Sequence, residues 1–324
     1  MSSQIEAGPA VETAGPAPAQ GPARSRSRIR KRIEIAAFAG PALLVYVTFV
    51  FVPVVLAAYY SFFNWNGIGP LNRFIGIENY TRALSDPVFH NAIKNNFVIV
   101  GLSLLIQGPL ALAIALLLNR RIRGRGVVRL LIFVPYVLSE VIAGLAWRLI
   151  LQPHGPFDSL LERLGLEGLR QQWLADPKVA LWVVFGVLTW KYLGLAIILL
   201  LAGLQGVPDE LMEAAAIDGA NWWQIQTRVT IPLLGPTIRI WAFLSIIGSL
   251  QLFDMVWILT QGGPLNSTHT MASYMVLYGL NRSQVGYGSA VAVILFVISL
   301  TVALLYQRFA LRRDLAGALT SRTT

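Results

Sequence analysis

The chain has 324 residues, of which 55% are hydrophobic and 13% charged, with a mean hydropathy of +0.61. That leaves too little polar surface to coat a soluble globule of this length, so the composition describes a membrane protein. The net charge of +10 does not point to nucleic acid, because the basic residues cluster beside apolar spans rather than on one amphipathic surface, and the absence of cysteine excludes disulfides and thiol-based metal or redox chemistry.

Residues 1 to about 23 are mainly Ala, Gly, Pro, Gln and Glu, with too few large apolar side chains to offset the entropy of ordering. The basic run Arg24-Ser25-Arg26-Ser27-Arg28-Ile29-Arg30-Lys31-Arg32 completes a disordered cytoplasmic tail, residues 1–32, and anchors the first span from inside. The apolar run after it is too long for a cleaved signal peptide and shows no small-residue cleavage site. A crossing needs about 20 apolar residues, and six such spans are predicted near 35–60, 96–118, 127–150, 180–203, 237–260 and 287–307. Together they make an all-α transmembrane domain over residues 33–310, followed by a tail, 311–324. Arg120, Arg121, Arg123, Arg125 and Arg129 between the second and third spans, and Arg308, Arg312 and Arg313 after the last, place those segments and both termini in the cytoplasm. Segments 61–95, 151–179 and 261–286 then fall outside.

Between the fourth and fifth spans lies a polar island, within a loop 204–236, on the cytoplasmic side. Pro208 suits a helix start, Asp209 and Glu210 oppose the positive dipole end, and Gly219 permits a left-handed stop, which predicts a helix of about ten residues. Asn221 with Gln224 forms a capping box for a second helix, on which Trp222, Ile225 and Val229 recur at helical spacing until Pro232 and Pro236 break it. The alanines give a thin ridge, with the charges of Glu213 and Asp218 at a defined height.

Glu213-Ala214-Ala215, Asp218-Gly219-Ala220 and Ile231-Pro232 resemble the EAA loop of binding-protein-dependent ABC importer permeases, with Ile225 standing where an aromatic residue is commoner. Gly126, Arg129, Pro135 and Trp147 resemble the third core span of the sugar permeases of the maltose and glycerol-3-phosphate type. Trp190-Lys191 resembles the entry to their next span, and Thr260-Gln261-Gly262-Gly263-Pro264 with Thr268 their outer loop. Asn96-Phe97 stands where those permeases usually have Asn-Thr. The resemblance covers roughly residues 90–305 and implies a six-helix type I importer transmembrane domain in a bacterial plasma membrane. It also implies a coupling helix that docks on an ATP-binding subunit through Glu213, Ala214, Ala215, Asp218, Gly219, Ala220 and Pro232, a second permease subunit, an extracytoplasmic solute-binding protein and a carbohydrate or polyol as solute. For Gly262, Gly263 and Pro264, an obligate turn at the membrane surface and a direct contact with the binding protein both fit.

The sequence contains no G-x-x-x-x-G-K-[ST] loop, so ATP must be hydrolysed by partners, and neither a cofactor nor a catalytic constellation is expected. His90, His154 and His269 lie in predicted outer segments without metal spacing and read as satisfied surface histidines. Charged and amide groups inside spans are costly and usually face protein or a water-filled path. Such residues are Gln107, Glu140, Lys191, Gln251 and Asp254, with Tyr136, Trp190, Tyr192, Phe253 and Trp257 as possible plates for a sugar ring. Gln251, Asp254 and Trp257 are the candidates for the solute path, whereas interhelical pairing or snorkelling suits the rest. An ion-coupled secondary transporter using Glu140 or Asp254 is the alternative, although no internal repeat supports it.

Overall fold

The computed structural model describes residues 23–120 and 124–311, so the N-terminal tail up to residue 22, Arg121, Ile122, Arg123 and the tail from residue 312 lie outside the described residues. Helices account for nearly all the regular structure, and the described residues contain no β-strand beyond an isolated bridge between Phe63 and Phe74. The chain divides into two compact units, Met1–Val55 and Leu56–Thr324. The first holds the start of the N-terminal helix, whose apolar stretch, α1 (Ala37–Tyr60), is long enough to cross a bilayer and carries exposed Phe38, Leu44 and Phe49.

In the second unit the order is α2 (Glu78–Ser85), α3 (Pro87–Asn119), α4 (Arg125–Val137), α5 (Glu140–Ile150), α6 (Pro156–Arg163), α7 (Ala180–Leu204) and α8 (Asp209–Ile217). There follow α9 (Trp222–Leu233), α10 (Gly235–Leu250), α11 (Asp254–Leu259), α12 (Met271–Val276) and α13 (Val285–Ala310). The expected spans near 35–60, 180–203 and 287–307 match α1, α7 and α13, and the one near 96–118 is the C-terminal part of a longer helix, α3.

Two predicted spans are not straight crossings. The stretch 127–150 is two helices, α4 and α5, bent by 99° at Leu138 and Ser139. Pro135 lies inside α4 and cannot donate a backbone hydrogen bond, and the helix ends two residues later at Val137, ahead of extended Leu138. The stretch 237–260 also fails to continue: α10 ends at Leu250, Gln251 to Phe253 are non-helical, and the short α11 follows. The helix ahead of α10 is likewise bent from it, by 66°. Pro232 does not break α9, as the sequence suggested. It sits within a helix that ends at Leu233, and Pro236 occupies the first turn of α10, where its missing N–H costs nothing.

α3 is the central strut. Its Ala111, Ala115 and Leu118 pack with Ile197 and Leu200 of α7 and Trp241 of α10. Nearer its start, Phe89 and Ala92 pack with Leu250, Met271, Tyr274 and Val291, and Ile99 joins Ala143, Val184, Met255 and Val256. Small residues let the helices close up. At Gly194 of α7 an added Cβ would sit 2.4 Å from the Ile132 carbonyl oxygen of α4, so these backbones are nearly in contact. Large apolar side chains such as Leu130, Leu131, Ile142 and Leu145 remain exposed along α4 and α5, as suits a lipid-facing surface.

Candidate functional site

The island between α7 and α10 folds as its local sequence dictates. Pro208 precedes α8, whose first turn carries Asp209 and Glu210. The helix ends in a Schellman arrangement in which Ala220 N–H donates to the Ala215 carbonyl at 3.0 Å and Gly219 N–H to that of Ala216 at 3.1 Å, with Gly219 at φ +82°. Asn221 Oδ1 then accepts from Gln224 N–H at 2.9 Å while Gln224 Oε1 accepts from Asn221 N–H at 2.8 Å, completing the expected capping box. No residue of α8 is buried: Glu213, Ala214, Asp218 and Gly219 are exposed, as is Ile217, and Ala215 and Ala220 are half-buried. On α9, however, the fully buried side chains are polar, Gln226 and Thr230, and of the predicted apolar stripe Ile225 and Val229 are only half-buried. Trp222 is exposed and lies under the Arg120 guanidinium, 4.4 Å from its ring centre.

Away from the island, the breaks in α4–α5 and α10–α11 free backbone carbonyls inside a span, where each needs a donor. Lys191, 2% exposed, supplies it at the first: Nζ donates to the carbonyls of Leu138 at 2.6 Å, Pro135 at 3.3 Å and Tyr136 at 3.4 Å. Its charge is balanced by Glu140 Oε1 at 3.6 Å, which also accepts from Tyr192 Oη at 2.6 Å. Lys191 and Glu140 therefore pair between helices. At the second break Asn96 Nδ2 donates to the carbonyls of Ser249 at 2.6 Å and Leu250 at 3.1 Å, and Thr270 Oγ1 to that of Leu252 at 2.6 Å. Gln251 and Asp254 stand at this break with exposed side chains and no side-chain hydrogen bond among the described residues, and half-buried Trp257 stacks on Phe253 at 5.5 Å.

Beside the second break a cleft of about 180 Å³ lies among α3, α7 and α10. Its walls are mostly apolar, Phe185 and Trp241 among them, with Ser103, Gln107, Tyr192, Ser245 and Ser249 bringing hydroxyl or amide groups. Ser103 Oγ donates to Gln107 Oε1 at 2.5 Å and lies 2.6 Å from Ser245 Oγ. Gln251, Asp254 and Trp257 do not line this cleft; Leu252, between them, does. The serines gave no signal in the sequence, because a small hydroxyl in a span is ordinary and becomes informative only when two helices, here α3 and α10, bring several together.

The segment 261–270 folds over the end of α11 and the start of α12. Gly262 has φ +84°, Thr268 Oγ1 donates to the Gly263 carbonyl at 2.6 Å, and the Thr260 and Thr268 hydroxyls are 2.7 Å apart. A Cβ added at Gly262 would run into the His269 ring, so only glycine fits there. His269 is 1% exposed and its Nδ1 is 3.0 Å from Ser273 Oγ, so it is a core residue rather than the surface histidine expected. Burial, and secondarily the charge of Arg282, push its pKa down to about 4, which leaves the ring neutral near pH 7. His90 and His154 are exposed, as the sequence suggested.

Comparison with known proteins agrees with this geometry. Residues 107–314 match the family described as "Binding-protein-dependent transport system inner membrane component". The trehalose/maltose transport system permease protein MalF of Thermococcus litoralis is 34% identical over 278 residues, covering 85% of this chain and 92% of that protein. The multiple sugar-binding transport system permease protein MsmF of Streptococcus mutans is 36% identical over 258 residues, covering 79% of this chain and 88% of that protein. Among solved structures, a chain of a bacterial ABC transporter involved in the import of the acidic polysaccharide alginate superposes with a TM-score of 0.79 at 24% identity, over 89% of this chain and 99% of that one, which shows a shared fold. These matches leave no support for the ion-coupled secondary transporter: the chain belongs to the binding-protein-dependent inner membrane components, as a multi-pass permease subunit of an ABC importer with the type I transmembrane fold.

Proposed function

We propose that this subunit forms, with a second permease subunit, the path of a carbohydrate across a bacterial plasma membrane, driven by ATP hydrolysed on partner subunits docked at Pro208–Pro232. The observation that carries the reading is the exposed α8 ridge, closed by Gly219 and followed by a capped second helix, on a chain whose sequence holds no phosphate-binding loop. A structured helix with no buried residue beside a membrane domain is a surface suited to another protein. Glu213, Ala214, Ala215, Asp218, Gly219, Ala220 and Pro232 are the docking elements on this reading.

The solute class follows from relatives whose names specify trehalose/maltose and multiple sugars. Solute passes the break between α10 and α11, where exposed Gln251 and Asp254 offer hydrogen bonds and Trp257 an aromatic plate, beside the serine-bearing cleft. A solute-binding protein meets the opposite end at Gly262, Gly263 and Pro264. One structural relative is described as a complex with an alginate pentasaccharide-bound periplasmic protein, which supports a partner of that kind. The arginines around α3 and α4 and after α13 orient both termini to the cytoplasm.

Substituting Glu213→Ala and Gly219→Val tests the reading in membrane vesicles. Both variants reach normal membrane levels, lose solute uptake and recover less ATPase on purification, since truncating one partner of a buried charged contact costs about 2–5 kcal/mol. Normal uptake by both variants overturns the docking role.

A further inference from the structure

Two adjacent asparagines on α3 tie the outer loop to the break in α10–α11. Asn95, 4% exposed, donates through Nδ2 to the carbonyls of Ser267 at 2.8 Å and His269 at 2.9 Å, on the underside of the 261–270 loop. One turn earlier Asn91 Nδ2 reaches the Asn266 carbonyl at 3.1 Å, so one face of α3 holds the loop. Asn96, fully buried, faces the next direction round the helix. Its Nδ2 holds the carbonyls of Ser249 and Leu250, and its Oδ1 accepts from Met271 N–H at 2.8 Å, at the start of α12. Thr270, the last residue of the loop, closes the circuit by donating to the Leu252 carbonyl at 2.6 Å. Ser249 and Leu252 line the cleft, so the backbone that shapes the cleft and the backbone that shapes the loop share their hydrogen-bond partners.

We propose that Asn95 and Asn96, with Thr270, are the positioning residues through which engagement of the 261–270 loop changes the α10–α11 break, and thereby couples docking outside to opening of the solute path. The inference rests on the reading that this loop receives a binding protein. A displacement of the loop carries Asn95's two carbonyl partners with it, and because Asn95 and Asn96 belong to one rigid helix the strain falls on Ser249, Leu250 and Leu252. These three carbonyls have no helical donor to fall back on at a broken end, so the break can move only together with its caps. Asn96 and Thr270 thus fix which arrangement of the break accompanies which arrangement of the loop, as two discrete arrangements rather than a gradual deformation.

The test uses the complete transporter in lipid nanodiscs, comparing ATPase rate without and with solute-loaded binding protein, alongside the affinity of that protein for the nanodisc. Asn95→Ala and Asn96→Ala lower the stimulation about fivefold or more, the low end of ordinary coupling free energies, while unstimulated rate and binding-protein affinity stay near those of the wild type. Thr270→Val, which keeps shape but removes the hydroxyl, has the same effect, and Thr270→Ser, which restores the donor, returns the stimulation. If Asn96→Ala fails to assemble, the Thr270→Val and Thr270→Ser pair decides alone. Full stimulation in Asn95→Ala and Thr270→Val overturns the inference, as does a loss of affinity that accounts for all the lost stimulation, which would make these residues mere supports of a docking surface. A wild-type transporter that binding protein neither binds nor stimulates overturns the docking reading itself.

Discussion

Gly219 and Gly262 offer a controlled comparison, because both hold a left-handed backbone, at φ +82° and +84°, and they differ in what surrounds them. A Cβ added at Gly219 meets nothing within 4 Å, whereas at Gly262 it lies 2.0 Å from His269 Cε1 and 2.1 Å from Nδ1. The His269 ring cannot swing away: it is 1% exposed, Ser273 holds its Nδ1, and Asn95 holds its own backbone carbonyl. Alanine at either position takes the left-handed penalty of about 1–2 kcal/mol. At Gly262 a further 1–3 kcal/mol, roughly, comes from forcing atoms into a packed site. Gly262→Ala is therefore expected to be the more destabilising by about 1–3 kcal/mol, which is several degrees of melting temperature at roughly 2–4 °C per kcal/mol for a domain of similar size. Thermal unfolding of the purified proteins in detergent measures it. Adding His269→Ala to Gly262→Ala relieves the clash and recovers part of the loss, a coupling of about 0.5–3 kcal/mol expected of residues in contact. Equal melting temperatures for Gly219→Ala and Gly262→Ala, or no recovery in the double variant, would refute the steric account of this loop.

Two further outcomes follow from the broken helices. Because the chain has no native cysteine, single cysteines at Gln251, Asp254 and Trp257 report access directly: a water-soluble thiol reagent labels at least one of them in a nucleotide-dependent way, and silence at all three in both nucleotide states moves the solute path elsewhere. Lys191→Met leaves three carbonyls of the α4 end and the Glu140 carboxylate without their cation, so stability falls by about 3–5 kcal/mol, with partial recovery in Lys191→Met/Glu140→Gln. A loss below about 1 kcal/mol in thermal unfolding would mean that water, not Lys191, satisfies the break.

What the sequence disclosed was whatever local physics decides. The lengths of α1, α7 and α13 follow from apolar runs alone, and the Gly219 stop and the Asn221–Gln224 box are built from residues within a few positions of one another, so both were legible. Burial of His269 was not, since it depends on Asn95, 174 residues away, fixing the His269 carbonyl under a loop. Nor were the breaks at Leu138 and Gln251. Pro135 was visible, but a proline in a span signals a break only if something satisfies the freed carbonyls, and Lys191 stands 56 positions from it.

The same bookkeeping sharpens how polar residues inside spans are read. From sequence, Lys191, Glu140, Gln107, Gln251 and Asp254 are each a costly group in want of water or a partner, with Gln251 and Asp254 set apart as path candidates and pairing or snorkelling expected of the rest. In the fold Lys191 is consumed by the α4 end, Glu140 by Lys191 and Tyr192, and Gln107 accepts from Ser103. The break at Gln251 is capped by Asn96 and Thr270, residues the sequence had not singled out for that role, and this frees the side chains of Gln251 and Asp254 from any structural duty toward the backbone around them. A helix break whose carbonyls are capped from outside, and whose own polar side chains are exposed and without a hydrogen-bond partner among the described residues, keeps its hydrogen-bonding capacity free, and that is the physical support for the proposal that solute passes there.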